Sequence, residues 1–133
     1  MVQTSINCQP YTASNADEVI SRYVWAPALC EVMSGVTGAI SSEGTIFEYF
    51  TIAPTASDRI AYLENGTAWM WYTRSVVTGT AGYVKGITNG GNSTNTASHP
   101  SGTSNFGGYR PVICIPKDAT ILEVSSGIYT LEL

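Results

Sequence analysis

From Arg59 to the end, glycine and asparagine punctuate the chain so often that no segment has room for a long helix. Between them lie short runs of β-branched and aromatic residues, the composition of half-buried strands. Asn65-Gly66 separates Ile60-Ala61-Tyr62-Leu63 from Ala68-Trp69-Met70-Trp71-Tyr72 and predicts a hairpin or tight turn. Alternation along the second run sends Trp69, Trp71 and Thr73 to one face and Met70, Tyr72 and Arg74 to the other, so one face is expected in the core and the other half exposed. Gly82-Tyr83-Val84-Lys85-Gly86-Ile87 predicts a further strand. The near-continuous apolar run Arg110-Pro111-Val112-Ile113-Cys114-Ile115 is expected as a central strand covered on both sides, with Pro111 at its start or on an unpaired edge. Ile121 to Val124 and Ile128 to Leu133 close the chain as two short strands around Ser125-Ser126-Gly127, apolar enough to require a partner sheet here or across an interface.

Helical signals are confined to the first half. Ser14 or Asn15 can cap a turn containing Asp17 and Glu18, whose charges suit the positive end of a helix. Tyr23-Val24-Trp25-Ala26-Pro27 reads as an extended segment stopped by proline. A second turn or short helix is expected after Pro27, with Leu29, Val32 and Met33 on one side and Gly35 at its end. Gly35 to Gly44 is a turn-rich link. Ile46-Phe47-Glu48-Tyr49-Phe50 is an extended or short helical core piece that buries two aromatic rings in either case.

With 133 residues, 44% of them hydrophobic and 12% charged, the chain has the length and apolar content of one domain with a single core. Six basic against ten acidic side chains leave a net charge of −4, which offers no footprint for phosphate backbones; nucleic acid is not an expected partner. No stretch approaches the ~18 consecutive apolar residues of a membrane span. Met1 to Pro10 lacks the basic cluster and apolar run of a secretion signal, so the chain is expected to be made in the cytosol or cut from a larger one.

The three cysteines, Cys8, Cys30 and Cys114, cannot all pair within the chain and are expected as free thiols; Cys30 and Cys114 sit in apolar surroundings, where a thiol packs as a small core side chain. His99 is the single histidine, and neither a Cys-x-x-Cys nor a His-x-x-x-His pair offers a local scaffold for zinc. The ten carboxylates, Asp17, Glu18, Glu31, Glu43, Glu48, Asp58, Glu64, Asp118, Glu123 and Glu132, are scattered singly, without the pairing that acid/base chemistry in a cleft requires. No enzymatic activity, metal or cofactor is expected.

Thr88 to Asn105 has no formal charge and almost no large apolar side chain. A loop this long in a compact domain is either functional or disordered, and both readings stand at this point. In the functional reading, Asn89, Asn92, Asn95, His99 and Asn105, with Lys85 at the base, form a neutral surface of donors and acceptors suited to sugar hydroxyls or polar protein epitopes. Tyr83, Phe106 and Tyr109 supply flat faces for stacking. His99 also reads as a plain solvated loop position. Carboxylates are absent from the tract, so sugar binding there would not use calcium.

Five segments occur in an order that resembles a known family. They are Val24-Trp25-Ala26-Pro27-Ala28-Leu29-Cys30-Glu31-Val32, Ser42-Glu43-Gly44 with Glu48-Tyr49-Phe50, Asp58-Arg59-Ile60-Ala61-Tyr62-Leu63 with Gly66-Thr67-Ala68, Trp69-Met70-Trp71-Tyr72-Thr73-Arg74-Ser75, and Gly108-Tyr109-Arg110-Pro111-Val112-Ile113-Cys114-Ile115-Pro116. The order is similar to that of the DUF6273 family, found in bacteriophage structural proteins and gut-bacterial surface proteins, whose hallmark is an aromatic pair before Leu-Arg-Ser and a later Gly-Val-Arg-Pro. The resemblance covers roughly Arg22 to Pro116. It departs from the pattern where Met70 separates the tryptophans, where Tyr72-Thr73 precedes Arg74, and where Tyr109 replaces valine.

That family resembles in turn the C-type-lectin-like fold shared with formylglycine-generating enzymes and phage receptor-binding tips. The resemblance implies one α+β domain over residues 1–133, with one or two short helices, a mixed, mostly antiparallel sheet, and long loops displaying the binding surface. By the same resemblance, Trp69, Trp71 and Arg74 match the aromatic-aromatic-Arg motif, and Gly108, Arg110 and Pro111 the Gly-x-Arg-Pro motif. Their expected role is architectural, with direct ligand contact as the alternative. The expected function is a non-enzymatic virion domain on a phage head or tail, adhering to a host-surface or mucosal glycan or a protein receptor. A structural or decoration protein that cements virion subunits, with a homotrimer as its expected assembly, is the alternative; a bacterial cell-surface adhesin module is a third reading.

Overall fold

The computed structural model describes residues 1–8, 18–52, 55–79, 83–97, 107–126 and 128–132. In chain order, strand β1 (Thr4–Cys8) pairs antiparallel with β2 (Glu18–Arg22), and β3 (Val24–Trp25) leads through Pro27 into helix α1 (Leu29–Val32). A 3₁₀ turn at Ser41–Glu43, helix α2 (Glu48–Ile52) and a second 3₁₀ turn at Ala56–Arg59 follow. Then come β4 (Ala61–Tyr62), β5 (Ala68–Trp69), β6 (Trp71–Val76), β7 (Tyr83–Ile87), β8 (Ser93–Ala97), β9 (Gly108–Tyr109), β10 (Val112–Ile113), β11 (Thr120–Ser125) and β12 (Ile128–Glu132). This is a small β-rich domain with two short helices. Its largest sheet has the order β8-β7-β6-β9, antiparallel except for the β6–β9 pair, and two-stranded antiparallel sheets surround it: β1-β2, β3-β10, β4-β5 and β11-β12.

The core lies where the helices meet the inner strands. Leu29 and Val32 of α1, Phe50 of α2, Trp71 of β6 and Ile87 of β7 form one buried cluster, with Met33, Val36, Ala39, Ile46, Phe47 and Ala61 packed around it. Trp71 is 1% exposed, and its indole N–H donates to the Arg59 carbonyl at 2.9 Å, which satisfies the polar end of a buried aromatic. Arg59 in turn donates from Nε to the Gly91 carbonyl at 2.9 Å. Gly91 has φ +77°, and a Cβ there would lie 1.8 Å from the Ala56 carbonyl oxygen. Glycine therefore lets the β7–β8 turn press against the second 3₁₀ turn, a close approach that no other residue allows.

Several expectations are corrected. Glu18 begins strand β2 rather than the first turn of a helix; the caps at Ser14 and Asn15, and Asp17, lie outside the described residues. β6 is buried on both faces, with Trp71, Tyr72 and Thr73 all enclosed, because Gly107 and Tyr109 lie against the Tyr72 ring while Glu31 of α1 and the Asn7 carbonyl of β1 hold Arg74 on the side expected to be half exposed. The Arg110 to Ile115 run is not a central strand: Val112–Ile113 pairs with the two residues of β3, Cys114 makes a single antiparallel bridge to Val2, and Ile113 and Ile115 are 46% and 37% exposed. Its apolar content imitated a buried strand, but Pro111 and the short β3 leave it at the rim. Ile46 to Phe50 leads into a helix that buries Phe50, while Tyr49 is exposed and meets the Phe50 ring edge-on at 5.0 Å. Ser93–Ala97, inside the expected polar loop, is strand β8, because alternating Thr and Asn can still complete a ladder with β7.

The two closing segments expected as strands form β11 and β12, which pair with each other, with an irregularity between Glu123 and Ser125. Every residue of β11 is exposed. Among the described residues, no helix is long and apolar enough to cross a membrane.

Candidate functional site

Two polar or aromatic assemblies stand out, and they differ in how completely their groups are used. The first surrounds Arg74, which β6 turns toward β1 and α1. Its guanidinium forms a two-pronged ion pair with Glu31, Nη1 to Oε2 at 2.6 Å and Nη2 to Oε1 at 3.1 Å, both side chains being 10% exposed. The same fork donates to the carbonyls of Ala26 at 3.1 Å, Asn7 at 3.2 Å and Glu43. Glu31 also accepts from the Ala28 N–H at 2.8 Å. Next along β6, Ser75 donates to Glu43 Oε2 at 2.5 Å and accepts from the Leu29 N–H at 2.8 Å. A Cβ at Gly44 would sit 2.3 Å from Glu31 Oε1, a carboxylate the ion pair holds in place.

The assembly ties β1, the β3–α1 link, the first 3₁₀ turn and β6 into one joint. Glu31 and Glu43 thus converge, which their spacing did not suggest. Both Glu31 oxygens and Glu43 Oε2 accept from structural donors, and the two side chains border a small cleft of about 170 Å³ with Asn7, Trp25 and Arg74. Cys30, beside them, donates weakly to the Gly44 carbonyl at 3.4 Å. Burial first, then the charges of Glu43 and Glu31, push its thiol from the ordinary 9.0 up to about 11, against the opposing pull of Arg74 and a backbone hydrogen bond. A thiol held protonated is a poor nucleophile at neutral pH.

The second assembly is an open cleft of about 500 Å³ between the β4–β5 hairpin and β9, within the size range of small-ligand sites. The hairpin closes on Asn65-Gly66: Leu63 N–H donates to the Thr67 carbonyl at 2.9 Å, Asn65 Oδ1 accepts from the Thr67 N–H at 3.0 Å, and Gly66 has φ +80°. This puts Tyr62, 62% exposed, on one wall. On the other wall β9 runs parallel to β6, fixed by the Gly108 N–H on the Met70 carbonyl at 2.9 Å, and presents Tyr109, 67% exposed. The rings of Tyr109 and the buried Tyr72 lie 5.4 Å apart. Gly107 allows this approach, since a Cβ there would lie 2.7 Å from the Tyr72 ring.

Ile60, Ala61, Leu63, Trp69, Met70 and Trp71 complete the lining, and Arg110 is its one charged member. The Arg110 guanidinium carbon lies 5.3 Å from the Trp71 ring centroid, and its buried Nη1 has no hydrogen-bond partner among the described residues. Trp69 and Met70 also line a second cleft of about 390 Å³, together with Thr67, Ala68, Thr88 and Asn89.

Of the residues expected to bind a ligand, Tyr109 lines the first cleft and Asn89 the second. The other described ones lie elsewhere. Tyr83 is partly exposed at the start of β7. Lys85 lies over the Gly38 turn and donates to the Thr37 carbonyl at 3.4 Å. Asn92 closes the β7–β8 turn, its N–H on Thr88 Oγ1 at 3.1 Å. Asn95 pairs with Lys85 in the ladder. His99 and Asn105 lie outside the described residues, as does Phe106.

Of the motif residues, Trp69, Trp71, Gly108 and Arg110 meet in the cleft, Pro111 lines a separate cleft of about 130 Å³ that shares Trp71 and Arg110, and Arg74 belongs to the polar joint. The sequence reading missed Tyr62, Thr67 and Thr88. The available signal was the Asn65-Gly66 turn, which obliges a tyrosine just before it to stand opposite Ala68, next to Trp69. Among the described residues, no group of three or more His, Cys, Asp or Glu is disposed to hold a metal ion.

A family model described as "Domain of unknown function (DUF6273)" matches residues 1–117. Neither the curated proteins nor the solved structures contain a match to this chain.

Proposed function

We propose, for a chain that belongs to the DUF6273 family, a non-enzymatic recognition domain of C-type-lectin-like design, carried on a phage particle and adhering to a host-surface or mucosal glycan. The observation that carries this reading is the cleft in which two exposed tyrosines, Tyr62 and Tyr109, flank Trp69. Flat aromatic faces left in water on a rigid frame suit the C–H faces of sugar rings, while hydroxyls at the rim complete the contact. The frame is rigid because Trp71 beneath it is buried and hydrogen-bonded. The virion location rests on the motif resemblance alone.

The test is a glycan array with a multivalent form of the protein, followed by binding to whole bacterial cells; multivalency compensates for weak single sites. Binding that is lost in Tyr62→Ala and Tyr109→Ala supports the reading. Absence of binding on both platforms, or binding untouched by either substitution, rejects it.

A second reading rests on a different feature. Ile121, Leu122, Val124 and Ile128 are 42% to 62% exposed on a two-stranded hairpin that follows the family-matched segment. Such a hairpin is marginal alone in water. This favours a structural role in which the hairpin cements neighbouring virion subunits. Light scattering on the isolated protein separates the two: a stable trimer dispersed by removing residues 118–133 favours cementing, and a monomer favours adhesion.

A further inference from the structure

The first cleft does not stand alone. Trp69 and Met70 line it on one side and line the second cleft on the other, so the two meet along one short piece of chain. Each has room for a small ligand, at about 500 and 390 Å³. Both linings are mostly apolar, but their polar members differ: the first includes Tyr62 and Tyr109, the second Thr67, Thr88 and Asn89 beside Ala68, Trp69 and Met70. Among the described residues neither is lined by a carboxylate, and Arg110, the one cation lining them, is drawn in over Trp71 with Nη1 buried.

We infer that the two clefts form one continuous groove across Trp69 that takes an internal stretch of a neutral oligosaccharide, rather than a single terminal sugar. This rests on the glycan reading above. A monosaccharide fills one cleft only, whereas a chain that stacks one ring between the tyrosines continues over Trp69 and brings its next units to Thr67, Thr88 and Asn89. The lining supplies donors and acceptors with little charge, which matches hydroxyl and acetamido groups and gives no advantage to a sulfated or uronic chain. Two modest contacts on one ligand multiply, so affinity grows with chain length until both clefts are filled.

The experiment titrates the full chain with two ladders, glucose to cellohexaose and N-acetylglucosamine to its β-1,4-linked hexamer, by calorimetry and tryptophan fluorescence. The tetramer of the preferred ladder is expected to bind about tenfold or more tighter than its monomer, with a plateau at longer chains. Asn89→Ala, an exposed turn substitution, should erase most of that gain, lowering the tetramer's affinity more than the monomer's. Tyr109→Ala should weaken both, and Trp69→Phe should abolish the emission change. A monomer that binds as tightly as the tetramer, or equal losses for both in Asn89→Ala, overturns the inference while the adhesion reading survives. Absence of binding by both ladders, with cell binding intact, overturns the ligand class; absence of binding on the array and to cells as well removes the parent reading.

Discussion

Arg74 and Arg110 share a guanidinium and the same largest sheet region, yet one is saturated and the other is not. Arg74 uses its fork on Glu31 and on the carbonyls of Asn7, Ala26 and Glu43, joining segments that are far apart in sequence. Arg110 rests on the Trp71 ring with Nη1 unpartnered among the described residues, at the floor of an open cleft. The difference separates architecture from availability. A polar group whose partners are complete stabilises the fold and has nothing left for a ligand, whereas exposed rings over an incompletely satisfied floor are free to engage one.

The sharpest way to break this contrast is to remove each arginine. Arg74→Ala leaves Glu31 buried without its cation and should cost about 3–5 kcal/mol, read as a lowered urea midpoint; a cost no larger than that of Arg110→Met would erase the distinction. Gly91→Ala tests the neighbouring close approach, because it meets the Ala56 carbonyl at φ +77°, and should cost about 1–3 kcal/mol in the same titration. Arg110→Met surrenders a ring contact and no hydrogen bond from Nη1, and is expected to cost about 1 kcal/mol or less.

On the pH axis the joint has a modest signature. Cys30 keeps its proton in the folded state up to about 11, while the unfolded thiol ionises near 9.0. Between those values the folded chain binds more protons, so stability is intact below about 9 and falls as pH rises toward 11. Cys30→Ala should flatten that part of the denaturation profile, and Ellman's reagent at pH 8 should leave Cys30 unmodified until the chain unfolds. Smallest of all in stability, Tyr62→Ala and Tyr109→Ala should each shift unfolding by about 0.5 kcal/mol or less, being surface changes. Any larger loss would assign the tyrosines to the frame.

Local rules carried part of this picture. The Asn65-Gly66 turn, the stop at Pro27 and the strand before Ile87 follow from φ preferences and side-chain alternation, which act within a few residues. The polar joint was illegible for the opposite reason. Glu31 and Glu43 read as isolated charges because only the folding of α1 and the first 3₁₀ turn onto β6 brings them to Arg74 and Ser75. Val112 and Ile113 misled because apolar content reports a preference for burial without saying whether a neighbour will be long enough to provide it. The cleft was half legible: Trp69 and Tyr109 stood out, but Tyr62 entered it through hairpin register. The expected polar loop was overread, since hydroxyl and amide side chains do not prevent a strand from pairing.

The parallel seating of β9 on β6 has a practical consequence. Trp71 stands opposite Gly108 and Tyr72 opposite Tyr109, so the place of the tyrosine wall is set by backbone register and by the Gly108 N–H on the Met70 carbonyl, not by the tyrosine side chain itself. Position 109 can therefore be exchanged for other side chains while the scaffold is inherited unchanged, which makes it a dial for what the cleft accepts.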